Sequence, residues 1–349
     1  MKIVALCTLS TGLNAIEYAI KLGISIDKII GLNPKNLQNK KSISGYIDIK
    51  NFCKKYKIDY EYVSKYSLKK INPKKLFSKA DILWVAGWQR LIPENFISFP
   101  KICSIGAHGS LDGISLGRGR SPQNWALLMG ATNFKISVFK ISRGIDDGNV
   151  IASKNFKLYS NDTIQTSYEK MSVCVAQILL KILKRPSLIS KSKKQVGPSK
   201  YFPKRTPDDG FIDWNMSALD IHNLIRSLVD PYPNARTYIG KRIIYIKESV
   251  RTNYSTRELP GKILFKYPDG KLLSKNQILV STKDKLLLIK KYTPILPKKF
   301  FLRKDKFSSV NMQITINNIM KRFKLEFSNK KLNTSLKKFW NKKGFKVKC

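Results

Sequence analysis

The sequence predicts an α/β, doubly wound domain followed by a small β domain and a basic tail. Three observations carry that class. Short apolar runs alternate with helical spacings through the first half, short strands broken by Gly, Pro and Asn fill the second, and basic charge thickens after Pro297. The 349 residues suffice for two domains. An apolar fraction of 42% with 11% aromatics can fill a core and excludes a disordered or fibrous chain.

In order, Ile3–Cys7 is a strand-like run, and Leu13–Leu22 carries helical spacing through Ile16, Ala19 and Ile20. Lys28–Leu32 reads as a second strand, Lys35–Gly45 as a polar loop, Ile47–Tyr56 as a short helix and Tyr60–Val63 as a strand. Asp81–Ala86 and Ile102–Ala107 are continuous apolar runs of the kind found in a parallel sheet covered on both faces, and the second runs straight into His108. Ser121-Pro122 opens a helix, with Pro at its first position and Ser121 as the expected N-cap. Lys135–Ile141 and Asn149–Ala152 read as strands around the Gly144–Gly148 turn, and a long amphipathic helix follows from Asn161. This mostly parallel, Rossmann-like domain is expected to cover residues 1–185.

Residues 186–206 read as a linker rich in Ser, Lys and Pro. A helix at Ala218–Leu228 and five short strands (Arg236–Tyr238, Ile243–Ile246, Gly261–Phe265, Gln277–Ser281, Lys285–Ile289) predict an OB-like β-barrel over 207–297. Residues 298–349 read as a basic extension with a helix around Ile314–Phe323 and no structure expected over the last fifteen or so residues.

The net charge is +43, of which the chain from Leu296 onward carries +14 and the rest +29. Such a field favours polyanionic partners: nucleic acid, nucleotide-linked metabolites or an anionic surface. Compositional drift is the bland alternative, because Lys greatly outnumbers Arg. The 5 cysteines show no C-x-x-C spacing and the histidines number only 2, so neither a metal site nor a disulfide framework is expected. With no apolar run of the roughly 18 residues a membrane helix needs, and no signal-peptide core, a cytoplasmic location is expected.

Chemistry concentrates in Ile105-Gly-Ala-His-Gly-Ser110, Arg118-Gly-Arg-Ser-Pro-Gln-Asn-Trp125 and Gly144-Ile-Asp-Asp-Gly148. A strand delivers His108 at its carboxyl end, where open α/β sheets place their ligand crevice. The turn after the next strand presents Asp146, expected at a neighbouring strand end as an acid–base partner. Arg118 and Arg120 between them are fork donors suited to phosphate or carboxylate. On the residues alone, His108 is either this catalytic imidazole or a core histidine bonded to backbone.

These segments resemble the 10-formyltetrahydrofolate-dependent formyltransferase family, whose signature is Asn-x-His, an R-G-x-x-P segment opening a helix, and a D-x-G turn. His108 matches the histidine, Arg118-Gly119 with Pro122 the second element, and Asp146-Asp147-Gly148 the third. Gly87-Trp-Gln-Arg-Leu-Ile92 resembles the loop that holds the folate pterin, and Arg205–Trp214, His222–Arg226 and Asp230–Pro233 resemble the family's second, OB-like domain. The resemblance implies His108 and Asp146 as catalytic residues and Trp88, Arg90, Leu91 and Ile92 around the folate. It also implies Ser110, Arg118, Arg120 and Asn124 on the acceptor, 10-formyltetrahydrofolate as formyl donor, and no metal. Asp147 is expected as a turn residue and His222 as a packing residue.

Within the family, His108-Gly-Ser110 and R-G-R-S-P-x-N-W look like the branch that formylates nucleotide-linked amino sugars. The lysines of Lys35–Lys41 favour the alternative, a methionyl-tRNA formyltransferase, and a degenerate relative that binds RNA or another polyanion is a reading of a different class. One position departs from the pattern: Gly106 stands where the family has asparagine. An oxyanion donor of that kind is worth about 3–4 kcal/mol, and Asn124, a main-chain N–H or a water is expected to replace it.

Overall fold

The computed structural model describes residues 1–35, 43–78 and 80–347, so most of the expected basic loop lies outside the described residues. The chain forms two compact units. The first comprises Met1–Pro122, Asn133–Lys157 and Thr166–Tyr201, and the second Gln123–Thr132, Leu158–Gln165 and Phe202–Cys349.

In the first unit, β1 (Ile3–Leu6), β2 (Lys28–Leu32), β3 (Asp59–Val63), β4 (Ile82–Val85) and β5 (Cys103–Ser110) run parallel. After the two-residue strand β6 (Arg118–Gly119), β7 (Asn133–Lys140) and β8 (Val150–Lys157) join antiparallel, giving the order β3-β2-β1-β4-β5-β7-β8. The helices are α1 (Ser10–Lys21), α2 (Lys50–Tyr56), α3 (Glu94–Ile97), α4 (Pro122–Leu128, which from Gln123 on belongs to the second unit), α5 (Ile164–Lys184) and α6 (Ser187–Ser190), and β9 (Lys200–Phe202) ends the segment. Strand alternation sorts the apolar runs onto two cores. Ile3, Ala5, Ile82 and Trp84 pack with Leu13 and Ile16 of α1 and Val175, Leu179 and Ile182 of α5. Val4, Leu6 and Leu83 pack with Ile30, Val63 and Phe96 on the other face. Burial on both faces is why these strands read as unbroken apolar runs.

Glycine is required where α1 begins. A Cβ on Gly12 would stand 2.0 Å from the Ala86 carbonyl oxygen, so the helix start presses directly against the end of β4. One local expectation is corrected: β5 continues to Ser110 because β7 goes on pairing with it after β4 has ended. The helix of Pro122 begins where expected, and Ser121 before it has φ of 51°, in the left-handed region, whereas an N-cap residue is ordinarily extended.

In the second unit, α7 (Ala218–Arg226) is capped by Ser217, whose hydroxyl accepts from the Asp220 N–H. It covers an antiparallel sheet of β10 (Ala235–Ile239), β11 (Arg242–Ser255), β12 (Ile263–Leu264), β13 (Ile278–Ser281) and β14 (Lys285–Thr293), in the order β10-β11-β14-β13-β12. Register shifts after Ile246, Glu248 and Arg251 bend the 14-residue β11 and curl the sheet toward a barrel. Its two edges, β10 and β12, are joined by residues 305–308. Ile263 N donates to Asp305 O at 2.8 Å, Phe307 N to Gly261 O at 2.9 Å and Ser308 N to Tyr238 O at 2.9 Å.

The segment from Lys298 is therefore folded into this unit. Phe301 and Phe307 join the barrel core with Trp214, Ile244 and Leu287. α8 (Lys298–Arg303), α9 (Met312–Glu326), β15 (Lys331–Leu332) and α10 (Thr334–Lys342) follow, so the last residues expected without structure contain a helix. Arg322 of α9 reaches both carboxylate oxygens of Asp209 at 2.5 and 2.7 Å, Lys343 reaches Asp220 at 2.8 Å, and Trp340 meets the edge of Trp125 at 5.6 Å. Asp209 and Asp220 have side chains only 2% and 6% exposed, so each partner neutralises a buried charge.

The barrel core gives a direct test. Phe307→Ala is expected to cost about 3–5 kcal/mol in urea unfolding of the second unit. A chain ending at Pro297, stripped of Phe301, Phe307 and the segment that joins the edges, is expected to lose cooperative unfolding of that unit. A truncated protein with an unchanged unfolding curve would show that the segment merely lies on the surface.

Candidate active site

β4 ends at Val85, opposite Gly106, whereas β5 continues to Ser110 beside β7. His108 therefore stands just past the carboxyl end of the parallel strands, paired across to Ser137. The turn that carries Asp146 arrives differently from the expectation. Because β7 is antiparallel, its last residue, Lys140, lies opposite Ile105 and not at the carboxyl edge. The turn then folds back along β5 by about three residues, or ~10 Å, to bring Asp146 to the histidine.

His108 Nδ1 lies 3.4 Å from Asp146 Oδ2, with side chains 11% and 24% exposed. Nε2 is 2.8 Å from the Gly117 carbonyl oxygen, an acceptor, so Nε2 carries a hydrogen and donates to it. Asp146 Oδ2 also accepts from Gly119 N at 3.3 Å, and Asp146 has φ of 49°. Asp147 accepts from the Ser142 hydroxyl inside the same turn.

Arg118 is 8% exposed, and its Nη2 donates to Gln195 Oε1 at 2.8 Å. Among the described residues, Arg118 Nε and the Oγ of Ser110 (1% exposed) are buried without a hydrogen-bond partner. Two orphaned polar atoms near one histidine cost about 1–3 kcal/mol each, a cost that a bound polar ligand would offset. Arg120 is half-buried. Asn124 belongs to the second unit, where it is fully buried and donates to Ser227 O at 2.7 Å.

The loop after β4 is pinned from beneath. Trp88 is buried and donates through Nε1 to Tyr66 O at 3.0 Å, with its ring 5.1 Å from that of Tyr66, and Ile92 is buried in the core. Leu91 stays 60% exposed, and Arg90 lies over the Tyr66 ring at 5.0 Å. Tyr66 is the anchor that sequence reasoning missed. Its hydroxyl accepts from Gln89 N at 2.8 Å, and burial raises its pKa against the opposing hydrogen bonds of Thr8 and Gln89 and the charges of Arg90 and Arg120. No sequence signal beyond an aromatic just after the third strand marks it.

A Cβ on Gly106 would stand 2.6 Å from Ile141 Cδ1, so the space beside this position is already filled by an aliphatic side chain. His222 is bonded at both nitrogens, to Ser249 Oγ at 3.0 Å and to Ser160 O at 3.2 Å, and burial lowers its pKa. No group of three or more His, Cys, Asp or Glu suited to a metal occurs among the described residues, and none of their helices is long and apolar enough to cross a membrane.

Comparison with known proteins agrees in both units. The family model for formyl transferase matches residues 16–183, and that for the formyl transferase C-terminal domain matches residues 204–302. Over 299 residues the chain is 30% identical to the bifunctional polymyxin resistance protein ArnA of Wigglesworthia glossinidia brevipalpis, covering 83% of this chain and 42% of that one. It is 28% identical over 225 residues to the methionyl-tRNA formyltransferase of Caldanaerobacter subterraneus subsp. tengcongensis, covering 64% of this chain and 67% of that one. The chain thus spans less than half the length of the first of these relatives. The crystal structure of an N-formyltransferase from Helicobacter canadensis, in complex with folinic acid and dTDP-3-aminofucose, shares the fold with a TM-score of 0.55 at 18% identity, over 84% of this chain and 99% of that one. With both units matched in order and the signature residues gathered around His108, the chain belongs to the formyl transferase family.

Proposed function

We propose that the protein transfers a formyl group from 10-formyltetrahydrofolate to the primary amine of a nucleotide-linked amino sugar. The observation that carries the transfer is the His108–Asp146 pair, held just past the carboxyl end of the parallel strands with Nε2 facing only an exchangeable backbone carbonyl. In this reading the acceptor nitrogen forms the new C–N bond, the bond from the folate nitrogen to the formyl carbon breaks, and one amine proton ends on the departing nitrogen. Asp146 takes up the proton that the acceptor ammonium must lose, and His108 donates from Nε2 to the formyl oxygen in place of Gly117 O. The pinned loop fits a flat heterocycle, because buried Trp88 and Ile92 fix the backbone while Arg90 and Leu91 remain at the surface. With Ile141 filling the space beside Gly106, no side chain at that position supplies an oxyanion donor, so Nε2 carries more of that task.

One observation favours a nucleotide sugar as acceptor. Arg118 presents a nearly buried fork with an unpartnered Nε beside the pair, the geometry that clamps one phosphate or diphosphate. The net charge of +43 favours the second reading, methionyl-tRNA.

Removing either member of the pair separates this function from a binding-only role. His108→Ala and Asp146→Ala are each expected to lower formyl transfer by at least about 10²-fold while circular dichroism stays unchanged. A folded variant with near-wild-type turnover would remove the assignment. Salt distinguishes the acceptors. A clamp on one diphosphate should lose little affinity between roughly 50 and 200 mM salt, whereas a tRNA held by six to ten phosphate contacts loses about 10³–10⁵. Arg118→Lys should raise the KM for the amino-sugar nucleotide far more than that for the folate, since a point charge does not replace the fork. Turnover of methionyl-tRNA with none of any amino-sugar nucleotide would decide for the second reading.

A further inference from the structure

Gln195 lies in the stretch that composition marks as a linker, but the structure seats it firmly. Lys193 and Val150 exchange reciprocal backbone hydrogen bonds of 2.8 Å, so the segment is fastened to the first residue of β8. From there the Gln195 side chain makes three hydrogen bonds. Its Oε1 accepts from Arg118 Nη2 at 2.8 Å, and its Nε2 donates to the carbonyl oxygens of Asp146 at 2.8 Å and Gly148 at 2.9 Å. Both amide hydrogens are used and the oxygen faces a cation, so only one orientation of the amide satisfies all three partners.

The two tethered segments are those that matter for the proposed chemistry. Asp146 sits in the left-handed region, which aspartate tolerates in turns better than most residues and which its tethers here hold in place. The same turn is seated so closely on β7 that a Cβ on Gly148 would stand 1.7 Å from the Lys140 carbonyl oxygen. On the other side, Gly119 N donates to Asp146 Oδ2, so β6 and the turn are joined twice, once through the backbone of Gly119 and once through Gln195.

We infer that Gln195 is a positioning residue that couples the acceptor-binding Arg118 to the turn carrying Asp146; the inference rests on the roles given to those residues above. A guanidinium drawn toward an anionic acceptor pulls on the amide oxygen, and the amide nitrogen transmits the pull to the Asp146 and Gly148 carbonyls. The alignment of Asp146 with His108 then depends on how the arginine is occupied.

Two substitutions of similar length divide the residue's work. Gln195→Glu keeps an acceptor for Arg118 but loses both donors and sets an anionic oxygen against two carbonyls. It is expected to lower kcat by about 10- to 100-fold, the scale set by a misplacement of roughly 1 Å, and also to raise the acceptor's KM, because the new carboxylate pairs with Arg118. Gln195→Lys keeps donors for the carbonyls but repels Arg118, and is expected to raise the acceptor's KM by at least about tenfold with a smaller loss of kcat. Hydrogen–deuterium exchange of residues 142–150, measured without any substrate, should accelerate in Gln195→Glu and stay near wild type in Gln195→Lys. A merely structural residue would lower thermal stability alike in both variants and would not split kcat from KM. Wild-type kinetics in both variants, or the same loss in both with unchanged exchange, overturns the inference. A wild-type protein that formylates no acceptor refutes the proposed function instead, and the exchange data still decide whether the tether holds the turn.

Discussion

The first unit depends on one change of strand direction. β5 pairs parallel with β4 on one side and antiparallel with β7 on the other. Because β4 stops at Val85 and β7 continues, β5 projects beyond the parallel sheet and carries His108 to the edge where α/β folds bind ligands. The same antiparallel pairing returns the chain to the level of Ile105, so the carboxylate reaches the histidine only because the following turn folds back. That reversal explains the left-handed backbone at Asp146, the bare Gly148 against the Lys140 carbonyl, and a need for bracing from residues 193–195. A parallel strand in place of β7 would deliver its turn to the carboxyl edge directly and require none of these.

The second unit solves a different problem, an antiparallel sheet with two open edges. Residues 305–308 join β10 to β12, which protects edges that would otherwise offer unpaired N–H and C=O groups. This closure also changes what the charge of the last segment means. Arg322 and Lys343 neutralise Asp209 and Asp220, and Lys262 pairs with Asp305 at the junction itself. Part of the basic excess is therefore structural, and the charge from Leu296 onward is not all free for a polyanion. Arg226 belongs to the same class: it donates to the Tyr159 and Asp162 carbonyls, with its pKa lowered by burial, so it too serves the interior.

The order of the elements, the apolar faces of β1, β4 and β5, the helix after Pro122 and the candidate residues His108, Asp146 and Arg118 are all legible in the sequence. Period-2 and period-3.6 patterns, turn residues and short motifs are properties of neighbouring residues, and they survive in a linear reading. The sequence alone thus determined an α/β domain followed by a β domain, and a histidine, an arginine and an aspartate set in three short motifs. Strand direction is not a local property, so only the tertiary structure decided that β7 runs against β5 and that the Asp146 turn folds back. Pairings between distant residues are equally invisible to composition: Gln195 with Asp146, Tyr66 with Gln89, and the closing segment at 305–308 with β10 and β12. Asn124 shows the converse, a polar residue inside a recognisable motif whose side chain the tertiary structure commits to the Ser227 carbonyl. The physical reason is the same throughout. A local pattern reports which face of an element is buried, whereas the partner of a polar side chain is fixed only when packing brings remote segments within about 3 Å.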